Sequence, residues 1–373
     1  MNNIYQCIQD LAKSKNLTME QFINESQEYG YSKLKIPLGI NGTNVLGFNT
    51  IVKGDDIYVP DLEVMTGHIY SERDFKSGRD AIIKKQYNVP DAPIGWWVSE
   101  KFDGQRAVWD GEKFISRGGS GNPRVYPYIP RWFKALMPPG IALDGELFIA
   151  RNSFNTTTSI LKTKLKPESQ RSKKDPSQQD LDERWLPIKY NVFDIIEEGL
   201  YEQRKNKLRQ IVNERCKIWK LISIPLYLKK GECPLVFTEQ YLIKSETQLT
   251  GIYNDLVKNG AEGVMIRAPG IPYIPRRTKL MLKMKLVEDS ECIIEGYKPG
   301  EGKNKNSLGS FYCKDVFTNN RFYVSGMTDS IRENYNVPGS ELYHPPGTII
   351  IYKFYGLTPD GIPRHPVYKG KQN

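Results

Sequence analysis

Lys101 is followed two residues later by Asp103 and Gly104 and then by Arg106, directly after the apolar run Gly95-Trp96-Trp97-Val98. A lysine amine attacks only after losing its proton, from an ordinary pKa of about 10.4, and nearby cations make that loss easier. Five further clusters carry matching chemistry. Ser116-Arg117-Gly118-Gly119 offers a guanidinium fork beside a flexible turn, a good phosphate holder. Leu143-Asp144-Gly145-Glu146-Leu147 sets a carboxylate beside a tight turn, and Ala261-Glu262-Gly263-Val264 sets another at the start of an apolar run. Tyr190-Asn191-Val192-Phe193-Asp194 contains a ring able to stack on a base. Lys283 and Lys285 alternate along Leu282-Lys283-Met284-Lys285, so both ammoniums face one side of a strand. They repel unless an anion lies between them, and phosphate is the obvious anion. Taken singly, each cluster reads as an ordinary hairpin, strand end or solvated face. Together they supply what a nucleophilic lysine by itself lacks.

These residues require strands to hold them. Trp96, Trp97 and Val98 read as a buried strand that Asp103-Gly104 closes with a turn, placing Lys101 at a pocket rim. From Gly95 onward the pattern predicts strands over 95–100, 106–110, 113–116, 141–149, 188–196, 234–239 and 263–267. Helices are expected over 127–136, 200–219 and 246–258, the last ending at Asn259-Gly260. Lys162 to Asp182 is polar, basic and without periodicity, and reads as a mobile surface loop: a plain insertion or a phosphate-backbone contact. After Lys285, short strands alternate with Gly-, Asn- and Pro-rich turns, the pattern of a small barrel with the OB-fold leading.

Ahead of Gly95 the pattern is different. Helices are expected over 3–14 and 19–28, extended pieces over 45–52 and 57–59 around a Lys53-Gly54-Asp55-Asp56 turn, and a connecting helix over 71–87. The expected division is an N-terminal α/β module over 1–68, a linker over 69–94, a catalytic domain over 95–287 and a barrel over 288–373. The module weakly resembles a LysM-type unit. The chemistry around Lys101 does not call on residues 1–90, for which DNA contact and a recruitment or stability role stand as alternatives.

Charge is concentrated where the chemistry is. Residues 96–287 hold 33 basic and 21 acidic side chains, against 10 and 12 in residues 1–95 and 10 of each in residues 288–373. A basic body of this kind suits a polyanionic partner such as nucleic acid. No apolar run approaches a membrane span, and the first twenty residues lack the layout of a signal peptide, so an intracellular protein is expected. Five scattered cysteines without a CxxC pair suggest a reducing compartment and speak against a zinc ribbon. His68, His344 and His365 lack metal-ligand spacing.

In this order, the clusters from Ser99-Glu100-Lys101-Phe102-Asp103-Gly104-Gln105-Arg106 through Tyr355-Gly356-Leu357-Thr358-Pro359-Asp360-Gly361-Ile362-Pro363-Arg364 resemble the motifs of covalent nucleotidyltransferases over residues 95–373. The resemblance is strongest to minimal two-domain ATP-dependent DNA ligases. It implies an α+β fold: an adenylation domain of antiparallel sheets with flanking helices, then an OB barrel. It implies that Lys101 takes AMP from ATP and that Arg106 and Glu146 contact the ribose. Phe193 would stack on adenine, with the exocyclic amine read near Ser99 and Glu100. Glu262, with Glu146, would support Mg²⁺ or Mn²⁺, and Lys283 and Lys285 would bind nucleotide phosphate and supply the positive field that eases loss of the Lys101 proton. Arg117 would contact a DNA phosphate, and Arg364, helped by Lys369, would orient the departing pyrophosphate. The implied partner is nicked duplex DNA, bound by a monomer in DNA repair or replication. RNA ligases and mRNA-capping guanylyltransferases share the lysine chemistry and stand as the alternative. A catalytically silent nucleic-acid-binding protein would not need the intact lysine motif.

Overall fold

The computed structural model describes residues 50–54, 56–60, 62–70, 87–117, 123–222, 224–358 and 360–372. The chain divides into two compact units, Met1–Met284 and Lys285–Asn373. In the first, the described strands begin with β1 (Ile51–Lys53), β2 (Asp56–Tyr58), β3 (Thr66–Ile69), β4 (Trp97–Lys101), β5 (Gln105–Trp109), β6 (Phe114–Ser116) and β7 (Arg124–Val125). There follow α1 (Arg131–Leu136), β8 (Leu143–Phe148), α2 (Phe154–Lys162), α3 (Gln178–Trp185), β9 (Lys189–Ile195) and α4 (Tyr201–Trp219). Next come β10 (Leu235–Phe237), β11 (Gln240–Leu242), α5 (Glu246–Lys258), β12 (Gly263–Arg267) and β13 (Arg277–Lys285), whose last residue opens the second unit.

Two sheets organise the first unit. One has the order β1-β2-β7-β6-β5-β8-β9-β10 and the other β11-β4-β12-β13-β3. The described pairings are antiparallel except for β9 with β10 and β13 with β3. Helix α4 buries Tyr201, Arg204, Leu208, Val212, Arg215 and Trp219, a stripe at helical spacing. It joins a core with Phe114 and Tyr190 of the first sheet, Phe133 of α1 and Trp185 of α3. The second sheet has its own core around Trp96, Val98, Val264 and Ile266. Period-two alternation splits the expected Trp96-Trp97-Val98 run. Trp96 and Val98 are buried, whereas Trp97 lies on the other face, donating to Glu202 (2.9 Å) under the Lys205 ammonium.

Several expectations change here. The hairpin β1–β2 hydrogen-bonds through β2 to β7, and β3 pairs with β13, so residues 51–69 belong to the sheets of the adenylation domain. Val59, Leu62 and Val64 pack with Val108 and Ile115 in one small core. These pairings join segments some sixty-five and two hundred residues apart, which no local pattern announces. The helices expected over 3–14 and 19–28, and all but the last residue of that expected over 71–87, lie outside the described residues. The stretch 162–182 is not plain loop: it contains a short 3₁₀ turn at Glu168–Gln170 and the start of α3, closed by a reciprocal Ser177–Asp180 capping box. Cys216 and Cys233 form a disulfide with Cα atoms 5.5 Å apart, against the reducing setting read from cysteine spacing. Packing of α4 against the β10 end of the sheet brings these distant cysteines together.

The second unit contains β14 (Glu288–Pro299), β15 (Leu308–Asp315), β16 (Arg321–Val324), α6 (Asp329–Asn334), β17 (Ile349–Phe354) and β18 (Val367–Lys371). Its antiparallel order β16-β15-β14-β17-β18, with β14 paired on both sides, encloses a core of Ile294, Phe311, Phe322 and Tyr352. This is the OB barrel expected from the turn pattern. Its division from the first unit falls after Met284, three residues ahead of the expected boundary.

Candidate active site

Lys101 is the last residue of β4, a strand flanked by β11 and β12. Its register partner is Gly263, so the preceding Glu262 comes alongside, and the Lys101 ammonium donates to the Glu262 carboxylate. Neither side chain is sealed from water, at 20% and 17% exposure. The turn after Lys101 leads into β5 and is pressed against β8. A Cβ on Gly104 would fall under 3.0 Å from the Leu147 carbonyl and Glu146 Cγ. Only glycine lets the chain pass there, which fixes Lys101 next to the β8 carboxylates. Gly145 faces the same constraint from the Tyr190 ring and the Asn191 carbonyl.

Arg106 on β5 lies opposite Glu146 on β8. Its guanidinium makes two bonds to Asp144 (2.6 and 2.5 Å), a third to the Met65 carbonyl (3.1 Å), and sits 4.7 Å from the Phe193 ring centre. Tyr273 also donates to Asp144 (2.7 Å) and accepts from the Met65 backbone N–H (3.2 Å). Beneath Phe193, the fully buried Asp194 receives bonds from Arg204 (2.8 and 3.2 Å) and from Arg267. This pairing ties β9 to α4 and β12, so the ring is carried on a braced strand.

Electrostatics converge on Glu146. Burial pushes its carboxyl up to about 7, opposed by Lys101 and Arg106, reinforced by Glu262 and opposed again by Arg117. These charges therefore share one site. Glu146 and Glu262 supply hard oxygen donors suited to Mg²⁺, which takes one or two carboxylates and completes its shell with phosphates and water. Among the described residues no group of three His, Cys, Asp or Glu side chains could hold a metal ion alone.

The other expected residues fall into place unequally. Ser99 shares the Lys101 face of β4, opposite Gln240 on β11 and Met265 on β12. Glu100 alternates to the other face, where Arg151 holds it with two 3.0 Å bonds while also donating to the Asn259 carbonyl (2.9 Å). Arg117 is exposed just beyond β6. Lys283 is on β13, next to β12 in the sheet, with its carbonyl accepting from Tyr70 (2.9 Å). Lys285 and Arg364 belong to the second unit. Lys285 lies 5.6 Å from the Tyr355 ring centre, and the backbone of Arg364 pairs with Tyr355 and Gly356. Lys369 forms an ion pair with Asp289. Sequence reasoning overlooked Asp144, Met65, Tyr273 and Arg151. Asp144 stood inside a cluster already singled out, but the contact of Met65 leaves no local signal.

Residues 82–285 match the family model of the ATP-dependent DNA ligase domain, and residues 299–371 match that of the DNA ligase OB-like domain. The chain is 30% identical over 291 residues to a DNA ligase of Haemophilus influenzae, covering 78% of this chain and 91% of that one. A DNA ligase of Archaeoglobus fulgidus is 28% identical over 256 residues, covering 66% of this chain and 43% of its own. A solved Lig E DNA ligase, a minimal scaffold for DNA binding, has the same fold, with a TM-score of 0.61 at 24% identity over 86% of this chain and 100% of that one. Among the described residues no helix is long and apolar enough to cross a membrane. A catalytic-domain match across more than half the chain, followed by the matching barrel, places this chain in the family of ATP-dependent DNA ligases.

Proposed function

We propose that the chain seals 5′-phosphate/3′-hydroxyl nicks in duplex DNA, with Lys101 as the nucleophile. The single observation that supports this best is the pairing of Lys101 with Glu262 inside a cluster that also holds Glu146 and Arg106. The uncharged Lys101 amine attacks the α-phosphorus of ATP. A P–N bond forms, the bond to pyrophosphate breaks, and the amine proton leaves to solvent. A 5′-phosphate oxygen at the nick then attacks the AMP phosphorus and Lys101 departs. The 3′-hydroxyl finally attacks that 5′-phosphate, and AMP leaves.

In this reading Arg106 and Glu146 hold the ribose, Phe193 stacks on adenine and Ser99 lies beside its exocyclic amine. Glu100, already engaged by Arg151, steadies β4 behind it. Lys283 and Lys285 neutralise the α-phosphate, Arg364 with Lys369 orients the pyrophosphate, and Arg117 takes a nick phosphate. Glu262 and Glu146 hold Mg²⁺ or Mn²⁺, whose charge offsets the phosphates and favours the neutral amine. The protein acts as a monomer. The OB match to DNA ligases disfavours the RNA ligase and guanylyltransferase alternatives.

The test is joining of a nicked DNA duplex against a nicked RNA duplex with ATP and Mg²⁺, alongside labelling with α-labelled ATP and GTP. Lys101→Ala abolishes the AMP adduct and sealing. An adduct that survives in Lys101→Ala, or label taken from GTP alone, contradicts the proposal.

A further inference from the structure

Between α2 and α3, residues 162–177 carry six basic side chains and two acidic ones. The segment is internally braced. Lys166 pairs with Asp175 (2.8 Å), Ser172 donates to Asp175 through its backbone N–H and its hydroxyl (2.8 Å each), and Arg171 donates to the Lys166 carbonyl (3.0 Å). At its far end the capping box begins α3, which is anchored by buried Leu181 and Trp185 and by Asp182, accepting from Tyr128 (2.5 Å) and Tyr227 (2.8 Å).

This bracing sorts the charges. Asp175 is consumed by Lys166 and Ser172, Asp180 by the cap, and the neighbouring Asp56 by Lys164 (2.8 Å). Lys162, Lys173 and Lys174, with the single acid Glu168, remain exposed with no ion pair among the described residues, a surplus of cations. The bracing bonds hold the backbone of the turn that carries Lys173 and Lys174, so an anion bound there has less of the chain left to order. The segment also begins at the site. Thr158 of α2 accepts from Gln105 (2.8 Å), the neighbour of Arg106, and Lys162 lies one helical turn, about 6 Å, further along.

We propose that this braced turn is a phosphate-backbone clamp for the duplex flanking the nick, with Lys162, Lys173 and Lys174 as its contacts. The proposal rests on the reading that the substrate is duplex DNA. It gives the chain a grip outside the lysine site and carries no base specificity, because ammoniums meet phosphates as point charges.

The test compares Lys162→Ala/Lys173→Ala/Lys174→Ala with Lys217→Ala/Lys220→Ala/Lys229→Ala, which removes the same charge from exposed positions at the far end of α4. Binding of a nicked 30-base-pair duplex is measured between 50 and 200 mM salt. The first variant lowers the log–log salt slope by about 2 to 3, so its deficit against the parent narrows by roughly 40-fold over that range. Its self-adenylation, which uses no DNA, is unchanged, and the control variant keeps nearly the parent slope. An unchanged slope, or equal losses in both variants, overturns the clamp. Failure of the unmodified protein to form a lysine–AMP adduct would instead overturn the ligase reading.

Discussion

At the residue scale, the decisive group besides Lys101 is Glu146, whose carboxyl is raised from 4.5 to about 7, chiefly by burial. The folded protein therefore binds this proton more tightly than the unfolded chain. The resulting stabilisation is complete below about pH 4.5 and is lost as pH rises through about 7. Glu146→Gln removes that dependence. Relative to the parent, its unfolding free energy is expected to be higher at pH 8 than at pH 5, by on the order of 1–3 kcal/mol, read by urea titration at both values. Self-adenylation by the parent is expected to rise with pH through about 7, as the Glu146 carboxyl, proposed to meet the ribose, loses its proton and can only accept. A flat profile would remove Glu146 from that role. Asp144 is the second residue of consequence, because Arg106 depends on it for two of its bonds. Asp144→Ala leaves a largely buried guanidinium uncompensated and is expected to cost about 3–5 kcal/mol in a denaturant melt.

At the element scale, the site depends on how closely β4, β5 and β8 approach. Gly104→Ala pushes a methyl group against the Leu147 carbonyl, a backbone atom that cannot rotate away. The expected result is a loss of about 1–3 kcal/mol of stability. The same shift displaces Lys101 from Glu262, and displacements of about 1 Å cost on the order of 100-fold in rate. Adduct formation in single turnover, set against the melting midpoint, distinguishes this from simple unfolding: adenylation falls further than the folded fraction does.

At the scale of the whole molecule, the two units divide the proposed chemistry. Arg364 stands in the OB barrel, so Arg364→Ala is expected to impair self-adenylation far more than the sealing of a nick that is already adenylated. Equal losses in both steps would contradict a leaving-group role. Residues 51–69 weigh as heavily. Deleting residues 1–90 removes β3 and the Met65 carbonyl that accepts from Arg106, so the truncated protein is expected to lose adenylation as well as DNA affinity. The sequence alone assigned that stretch to a separate module outside the chemistry.

What the sequence by itself determined was therefore the chemistry and the local elements. The motif order around Lys101, Glu146, Phe193, Glu262 and Lys283 was legible, as were most strands after Gly95, because strand alternation and tight turns are encoded within a few residues; β7, β11 and β18 were not read. The helix over 246–258 was legible for the same reason, from its apolar spacing and Asn259-Gly260 stop. Only the tertiary structure decided that β1–β3 complete the catalytic sheets, that Asp144 and Met65 hold Arg106, that Glu100 turns away from Lys101 toward Arg151, and that Cys216 meets Cys233. Each is a pairing between distant segments whose partners are selected by shape and buried charge, and neither leaves a mark on the residues beside it in the chain.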